Sequence, residues 1–484
     1  MKAMEIIIMI CSIIGTAYTV LMAYKAIFTI IGVFGYRKFP KAQREHKYGI
    51  CVAARNEDKV IGNLLESIAN SDYNLEQITV FVVADNCTDN TAEIARNFKK
   101  NGLKVVVYEH NNPDERTKGF ALRYLFDRIE EDYGRASFEG YFIFDADNVI
   151  RQNYLTKMNE AFDAGHKIIT SYRNSKNMNQ NWISFSYAMH WMRTCLTENR
   201  AKGVLNQACR IQGTGFLFSN ELVKDGWNYT TLTEDRSFCT DAVVQGYRIT
   251  YCDEAVFYDE QPYKLRVALR QRLRWSKGHL QSAVENCPKL LRNMFKKDKC
   301  FTTTYDCFFL NFPRHIESAC RKCVVQVLEV IMAAMGGTAL AYFFNIKLGI
   351  NLKIFNFEIF SYELPPLFEE YAAQGVLIGW LFSKIGSWFG SMFIEVLVLI
   401  VYRNKMEKAV GFGGVCRRIF HVFMFPFFDV IGKWTTYIAV FKKIEWKPIP
   451  HDTVMDMSKL LAESDSQTAE LAAEDATTTD GENA

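Results

Sequence analysis

Two aspartates flank a single alanine where an apolar run ends, in Phe144-Asp145-Ala146-Asp147-Asn148. Hard carboxylate oxygens at this spacing suit Mg2+ or Mn2+, above all when a substrate diphosphate supplies further oxygens. The same pair also suits a strand that simply ends there; the two acids alternate across the strand end, or converge if the strand breaks there. A second acid pair, Glu234-Asp235, follows Thr233 at the opening of a helical stretch. There it serves either as a proton acceptor or as a partner for the helix dipole, with Thr233 placed as a cap. Further along, Gln271, Arg274 and Trp275 lie along about one turn of helix. A guanidinium beside an indole offers a planar cation for phosphate and an aromatic face for a sugar ring. An anchor at a bilayer interface uses the same two side chains.

The elements around these residues explain how they come together. Apolar runs YGICVAA, ITVFVVAD, LKVVVYEH and YFIFDAD alternate with helical stretches at 58–70, 88–100 and 117–131. Such alternation predicts an α/β domain with a mostly parallel sheet and covering helices. Ligands of such sheets collect beyond the carboxyl ends of the strands. Three of the runs end in polar clusters: Arg55-Asn56-Glu57, Asp85-Asn86 and Asp145-Ala146-Asp147. Helix capping accounts for Asp58 or Thr88 singly, but not for three clusters at once.

The rest of the chain narrows the class. A net charge of +3 gives no sign of a nucleic-acid binder. The 13 cysteines lack zinc-site or disulfide-framework spacing, and Cys320 and Cys323 read as reduced bystanders. A mean hydropathy of −0.08 hides a strong partition. Residues 6–24 carry no charge and are long enough to cross a bilayer, and Arg37, Lys38, Lys41, Arg44 and Lys47 follow. That pattern favours an anchor with a cytoplasmic downstream side over a signal peptide. Further spans are expected at 323–344 and 376–402, with 346–373 outside and the basic loop Arg403, Lys405, Lys408, Arg417 and Arg418 inside. Residues 419–441 contain Pro426 and either span or re-enter. Residues 182–196 and 264–295 suit amphipathic helices at the membrane surface, or else packing within the soluble domain. The acidic stretch 458–484 reads as disordered; EWKPIPHD before it resembles a segment recurring in related bacterial proteins, but its Trp446 and His451 read as exposed tail residues.

Taken together, these motifs resemble the processive family 2 glycosyltransferases, membrane enzymes with a GT-A type catalytic domain that include cellulose, hyaluronan, chitin and poly-N-acetylglucosamine synthases. The resemblance covers residues 48–285 and the flanking membrane segments. AARNE resembles the first nucleotide-contacting loop, with Ala53 where proline often stands, and VVADNCTDNT resembles the second. ERTKGFAL is similar to a donor-site segment through Lys118 and Gly119, and DADN to the metal motif. GTGFLF (Gly213 to Phe218) resembles the acceptor-side segment, TED the catalytic base and QRLRW the Q-x-x-R-W signature of polymerising members.

The resemblance implies a nucleotide-diphospho-sugar held near Arg55, Asn56, Glu57, Asp85, Lys118 and Asp145. It implies Mg2+ or Mn2+ at Asp145 and Asp147. Asp235, with Glu234 beside it, would be catalytic, and Gly213, Gln271, Arg274 and Trp275 would serve the acceptor and diphosphate. The implied reaction is a single displacement with inversion, from a UDP-sugar to a growing β-linked polysaccharide, with coupled export as a further implication. The alternatives are a non-processive lipid glycosyltransferase, similar to ceramide glucosyltransferases, and an inactive export scaffold. Implied partners are the donor, a glycan or lipid acceptor, the lipid bilayer and an export or accessory subunit, with no nucleic acid. The implied location is the plasma membrane, multi-pass, with the catalytic domain cytoplasmic. The expected organisation is an anchor over 1–36, a GT-A domain over 45–262, interfacial helices with QRLRW over 263–318, membrane segments over 319–445 and a tail over 446–484. Glu329, Lys384, Glu395, Asp429 and Lys433 fall in apolar segments, where they either pair with one another or line a path for an emerging glycan.

Overall fold

The computed structural model describes residues 2–296, 300–336, 372–407, 409–444, 449, 451–456 and 458. Helices α1 (Lys2–Leu21) and α2 (Tyr24–Phe34) precede strand β1 (Tyr48–Ala54), helix α3 (Ile61–Ala69) and strand β2 (Ile78–Asp85). Then follow α4 (Thr91–Asn97), β3 (Lys104–His110), α5 (Lys118–Asp132), β4 (Gly140–Asp145) and β5 (Val149–Ile150). Next come α6 (Tyr154–Asp163), β6 (Ile168–Ser175), α7 (Trp182–Thr194), α8 (Ala201–Val204), β7 (Phe216–Ser219), α9 (Glu234–Gln245) and β8 (Ile249–Asp259). The last helices are α10 (Leu265–Met294), α11 (Phe301–Asn311), α12 (Arg314–Gly336), α13 (Ala372–Val401) and α14 (Gly411–Phe441).

The eight strands form one sheet in the order β3-β2-β1-β4-β7-β6-β8-β5. All eight residues of β2 are buried, as expected of a strand covered by helices on both faces. The four apolar runs read from the sequence are β1 to β4, and β3, β2, β1 and β4 do run parallel. The whole sheet is nevertheless mixed, because β7 lies antiparallel to both β4 and β6, and β5 antiparallel to β8. The β5 pairing follows from a break in the chain at the end of β4. The chain leaves the sheet at Asp145 and turns through Ala146 and Asp147 to pair β5 with the far end of β8. The two acids therefore flank a break, and do not alternate along one strand.

The chain folds into two compact units. The first comprises residues 1–27 and 313–394. In it α1 lies along α12, with the Arg321 guanidinium donating to the Cys11 carbonyl at 3.3 Å and to Glu317 at 2.9 Å. Residues Ala3–Phe34 are the one described helical stretch long and apolar enough to cross a membrane; Ile385–Val401 is apolar but shorter. Residues 346–371 of the expected outer loop lie outside the described residues, as do Trp446, most of 458–484 and the side chains of Glu329 and Lys384. All 13 cysteines are free, including Cys320 and Cys323.

The second unit, residues 28–312 and 395–484, carries the sheet. Helix α7 corrects one expectation. Asn181 opens it with a capping box, and residues on every face of it are buried, including Phe185, Tyr187, Met189, Trp191 and Met192. It is an internal helix and not one laid on a surface. α10 keeps a more exposed side, with Leu265, Val284 and Leu291 open. Residues 419–441 fall within α14, which runs continuously through Pro426, so they do not turn back on themselves. Glu395 and Asp429 neither pair with each other nor stand free. Both bind Arg193 of α7, at 3.3 Å and 3.1 Å, and the guanidinium also packs on the Phe425 ring. A shared cation offsets the cost of keeping these acids in apolar surroundings.

Candidate active site

The polar clusters at the carboxyl ends of β1, β2 and β4 form two neighbouring groups. In the first, Arg55 donates through Nε to the Asp85 carbonyl at 2.8 Å and pairs through Nη2 with the Asp85 carboxylate. His110, at the end of β3, meets the other Asp85 oxygen at 2.9 Å, and Asn86 donates to it at 2.8 Å. Both oxygens of Asp85 are thus engaged, so this acid sets the posture of Arg55. Asn56 and Asn86 adopt left-handed backbone (φ 57° and 51°), which asparagine tolerates better than most residues. The Asn56 side chain accepts from the Thr88 amide at 2.8 Å, joining the two loops. Neither Asp58 nor Thr88 caps a helix, because α3 and α4 begin after Val60 and Asn90.

The second group centres on Lys118, the first residue of α5. Its ammonium pairs with Asp145 and donates to the Gly213 carbonyl at 3.0 Å. Burial opposes this charge, but Asp145, Glu234 and Asp235 outweigh it and hold the ammonium above its usual range. Gly213 needs its φ of +85°, and a Cβ on it would lie 3.8 Å from the Asp235 carboxylate. The acceptor-side turn therefore lies beside Asp235. Gly278 of α10 lies flat against Thr233, where a Cβ would approach Cγ2 to 2.5 Å, so the Q-x-x-R-W helix is seated on the TED turn. The expected Thr233 cap is absent: its side chain makes no capping bond, and its buried hydroxyl lacks a partner. The reason is that α10 occupies that side of the turn.

Gln271 Oε1 and Arg274 Nε are likewise buried without a hydrogen-bond partner. Unsatisfied polar atoms beside an acid pair are what a polar ligand would satisfy. Burial lowers the Arg274 pKa from its ordinary value, while Glu234, Asp145 and Asp235 attract its charge. Trp275 stands edge-on to Tyr187 and Trp191, with ring centroids at 5.8 Å and 5.3 Å.

Burial pushes the Glu234 carboxyl up to about 7, against the pull of Lys118. A carboxyl raised above its unfolded value of 4.5 binds its proton more tightly in the native state. Stability from this group therefore falls as pH rises from about 4.5 to about 7 and stays low above it. Glu234→Gln should raise the melting temperature more at pH 8 than at pH 5, with a pH-dependent gain of up to roughly 3 kcal/mol. Parallel melts of both proteins at the two pH values check this; an equal shift at both would refute it.

Asp147 faces a partner that the sequence reading placed in an exposed tail. His451 is 18% exposed and bonds the Glu57 carboxylate through Nδ1 at 3.0 Å, and its Nε2 lies 4.0 Å from Asp147. Burial opposes the imidazolium, but Asp147 and Glu57 lift its pKa to about 10. Burial also opposes an ionised Asp147, yet His451, Lys176 and the Glu260 amide hold it below its ordinary range. The segment after His451 is fastened down. Glu260 accepts the Asp452 and Thr453 amides at 3.0 Å and 2.9 Å, and Asn63 bonds both backbone groups of Met455 at 3.0 Å and 3.1 Å. Glu57 and His451 are separated by 394 positions, so no local pattern could have linked them.

The family model described as "Glycosyltransferase like family 2" matches residues 46–278. That stretch is a family 2 glycosyltransferase domain. Among curated proteins, the chain is 22% identical over 286 residues to the probable glycosyltransferase YdaM of Bacillus subtilis, covering 55% of this chain and 62% of that protein. It is 24% identical over 388 residues to the poly-beta-1,6-N-acetyl-D-glucosamine synthase of Staphylococcus epidermidis, covering 77% and 87%. Among solved structures, the mannosyltransferase PcManGT of Pyrobaculum calidifontis, in complex with GDP-Man and Mn2+, superposes with a TM-score of 0.54. That match covers 83% of this chain and 98% of the other at 15% identity, and it shows the GT-A fold. In the glycosyltransferase domain the two groups described above lie at the carboxyl edge of the sheet, where this fold class binds its ligands.

Proposed function

We propose that the protein is a membrane-bound inverting glycosyltransferase that moves a sugar from a UDP-sugar onto a growing β-linked glycan. The observation that carries this reading is the convergence of Asp235 with Lys118, Asp145, Gly213 and Arg274 beside a separate Arg55–Asp85 group. On this reading the nucleoside lies against Arg55, Asn56 and Glu57, in a posture set by Asp85. Lys118 and Arg274 bring positive charge to the diphosphate, which bears the developing negative charge of the leaving group. Asp235 accepts the proton of the acceptor hydroxyl as that oxygen attacks the anomeric carbon from the face opposite the diphosphate. The carbon–oxygen bond to the diphosphate breaks as the new one forms, so an α-linked donor gives a β-linked product. Glu234 stays beside Asp235 as a second acid, and Trp275 offers an apolar face to the acceptor ring.

The donor set also fits a divalent cation. Among the described residues no three His, Cys, Asp or Glu side chains close a metal site by themselves. Asp147 and Asp145 nearby, with His451 once an arriving ion displaces its Nε2 proton, make an open set of oxygen and imidazole donors that suits Mg2+ or Mn2+ when a diphosphate supplies the rest. When bound, such an ion supplies Lewis-acid charge to the departing diphosphate. The Glu57–His451 bond at 3.0 Å then orients the imidazole from behind, as carboxylates commonly do for metal-binding histidines.

Polymer synthesis is supported by the length of the match to the staphylococcal synthase, which also makes UDP-N-acetylglucosamine the first donor to offer. Anchoring through residues 1–36, with the basic flank Arg37 to Lys47 and the catalytic domain on the cytoplasmic side, belongs to the same reading. So do membrane segments over 319–445 and the bilayer as a partner. The test offers purified protein a panel of UDP-sugars with Mn2+ and sizes the products. Long β-linked chains from one donor support the proposal; a single sugar added to lipid, or no transfer at all, overturns it.

A further inference from the structure

Arg173 of β6 has no part in the reading above, yet four of its surfaces are used. It is 8% exposed, donates through Nε to Asp259 at 2.8 Å, pairs with the same carboxylate through Nη2, and donates through Nη1 to the Gln212 carbonyl at 2.5 Å. The face of its guanidinium lies 3.9 Å from the Trp191 ring centroid. Trp191 in turn donates its indole N–H to Gln261 at 3.3 Å, and Gln261 donates to the second Asp259 oxygen at 2.5 Å. These four side chains close a ring of contacts.

Three ends of that ring reach the site. Trp191 meets Trp275 edge-on at 5.3 Å. Gln212 immediately precedes Gly213, the turn that lies beside Asp235. Asp259 precedes Glu260, whose amide donates to Asp147 at 3.0 Å. We propose that Arg173 is a positioning residue that holds the acceptor platform, Trp275 and the Gln212–Gly213 turn, in register with the donor end at Asp147. The inference rests on the reading of those residues given above. Buried ion pairs contribute little net stability against apolar replacements, so stability alone is a weak reason for this arrangement. A planar fork that binds a carboxylate, a carbonyl and an indole face at once is beyond a lysine, which offers a single point charge.

The test compares the wild type with Arg173→Lys, Trp191→Phe and the double variant. The reaction uses UDP-N-acetylglucosamine, Mn2+ and a short β-linked N-acetylglucosamine oligosaccharide, with UDP affinity and melting temperature measured alongside. Arg173→Lys should raise the acceptor KM about tenfold, the cost of about one charge-assisted hydrogen bond, and shorten the product. Metal-free UDP affinity should stay within about twofold of wild type, because Arg173 touches neither Arg55 nor Asp85 and the lysine keeps a positive charge near Asp147. Trp191→Phe keeps most of the ring packing and loses the N–H, so it should give a smaller shift of the same kind, and it carries the test if Arg173→Lys fails to accumulate. The double variant should be no worse than Arg173→Lys alone, since both act through one ring of contacts. An unchanged acceptor KM, a parallel loss of UDP affinity and melting temperature, or multiplicative effects in the double variant would overturn the inference. A wild type that transfers sugar from no donor of the panel overturns the reading of the site, and the inference with it.

Discussion

Asparagine in place of Asp235 should lower the rate of sugar transfer by about 10² to 10⁴-fold, the usual worth of a general base. The substitution keeps shape and removes the proposed proton acceptor. Asp235 sits beside the Gly213 turn and near Lys118, so the hydroxyl it would deprotonate is held against the donor. UDP affinity should change little, since the Arg55–Asp85 group stands apart from Asp235. A rate assay at saturating donor, with UDP binding measured by calorimetry, separates the two. Glu234→Gln is the control: its pKa near 7 leaves it partly protonated at neutral pH, so it should cost less than Asp235→Asn. Transfer that survives Asp235→Asn would refute the assigned role and favour the scaffold reading.

Asp147→Asn should weaken UDP binding in Mn2+ by roughly a hundredfold or more, and leave metal-free UDP binding close to wild type. The variant removes a hard oxygen donor from the proposed ion seat. Glu57→Gln acts one step removed, through the orientation of His451, and should cost about 10- to 100-fold in metal-dependent affinity. Calorimetric titration of UDP with and without Mn2+ reads both numbers. Equal losses with and without metal would show that Asp147 serves the fold and not an ion.

How much of this was legible beforehand depended on the range of the contacts involved. The parallel strands β1, β2 and β4 announced themselves because a strand buried on both faces is apolar along most of its length, as β2 is apart from Thr79 and Asp85. Asp145, Lys118 and Asp235 were found because each belongs to a short motif at the end of an element. The antiparallel β7 went unseen: at four residues, Phe216–Ser219 is too short for a period to declare itself. Helix α7 misled for the opposite reason. Its mixture of aromatic, apolar and basic residues is the composition of an interfacial helix, and only its neighbours reveal that Arg193 is spent on Glu395 and Asp429. Thr233 had the chemistry of a cap, but Gly278 brings α10 into the space beside it.

The amino-acid sequence by itself determined the class of chemistry: acids, a lysine and an arginine in an order that fits sugar-nucleotide transfer, within a family 2 domain over residues 46–278. The tertiary structure alone decided which groups share a site. It brought His451 to Glu57 across 394 positions, fastened the following residues to Glu260 and Asn63, and wired Trp275 through Trp191 and Arg173 to the far end of the sheet. The physical reason is that motifs are local, whereas the field and the hydrogen bonds at a site are summed over whatever the fold packs there. A histidine after the last helix and an arginine in mid-strand carry no signature of their own. Their surroundings come from the carboxylates and rings that the fold sets against them.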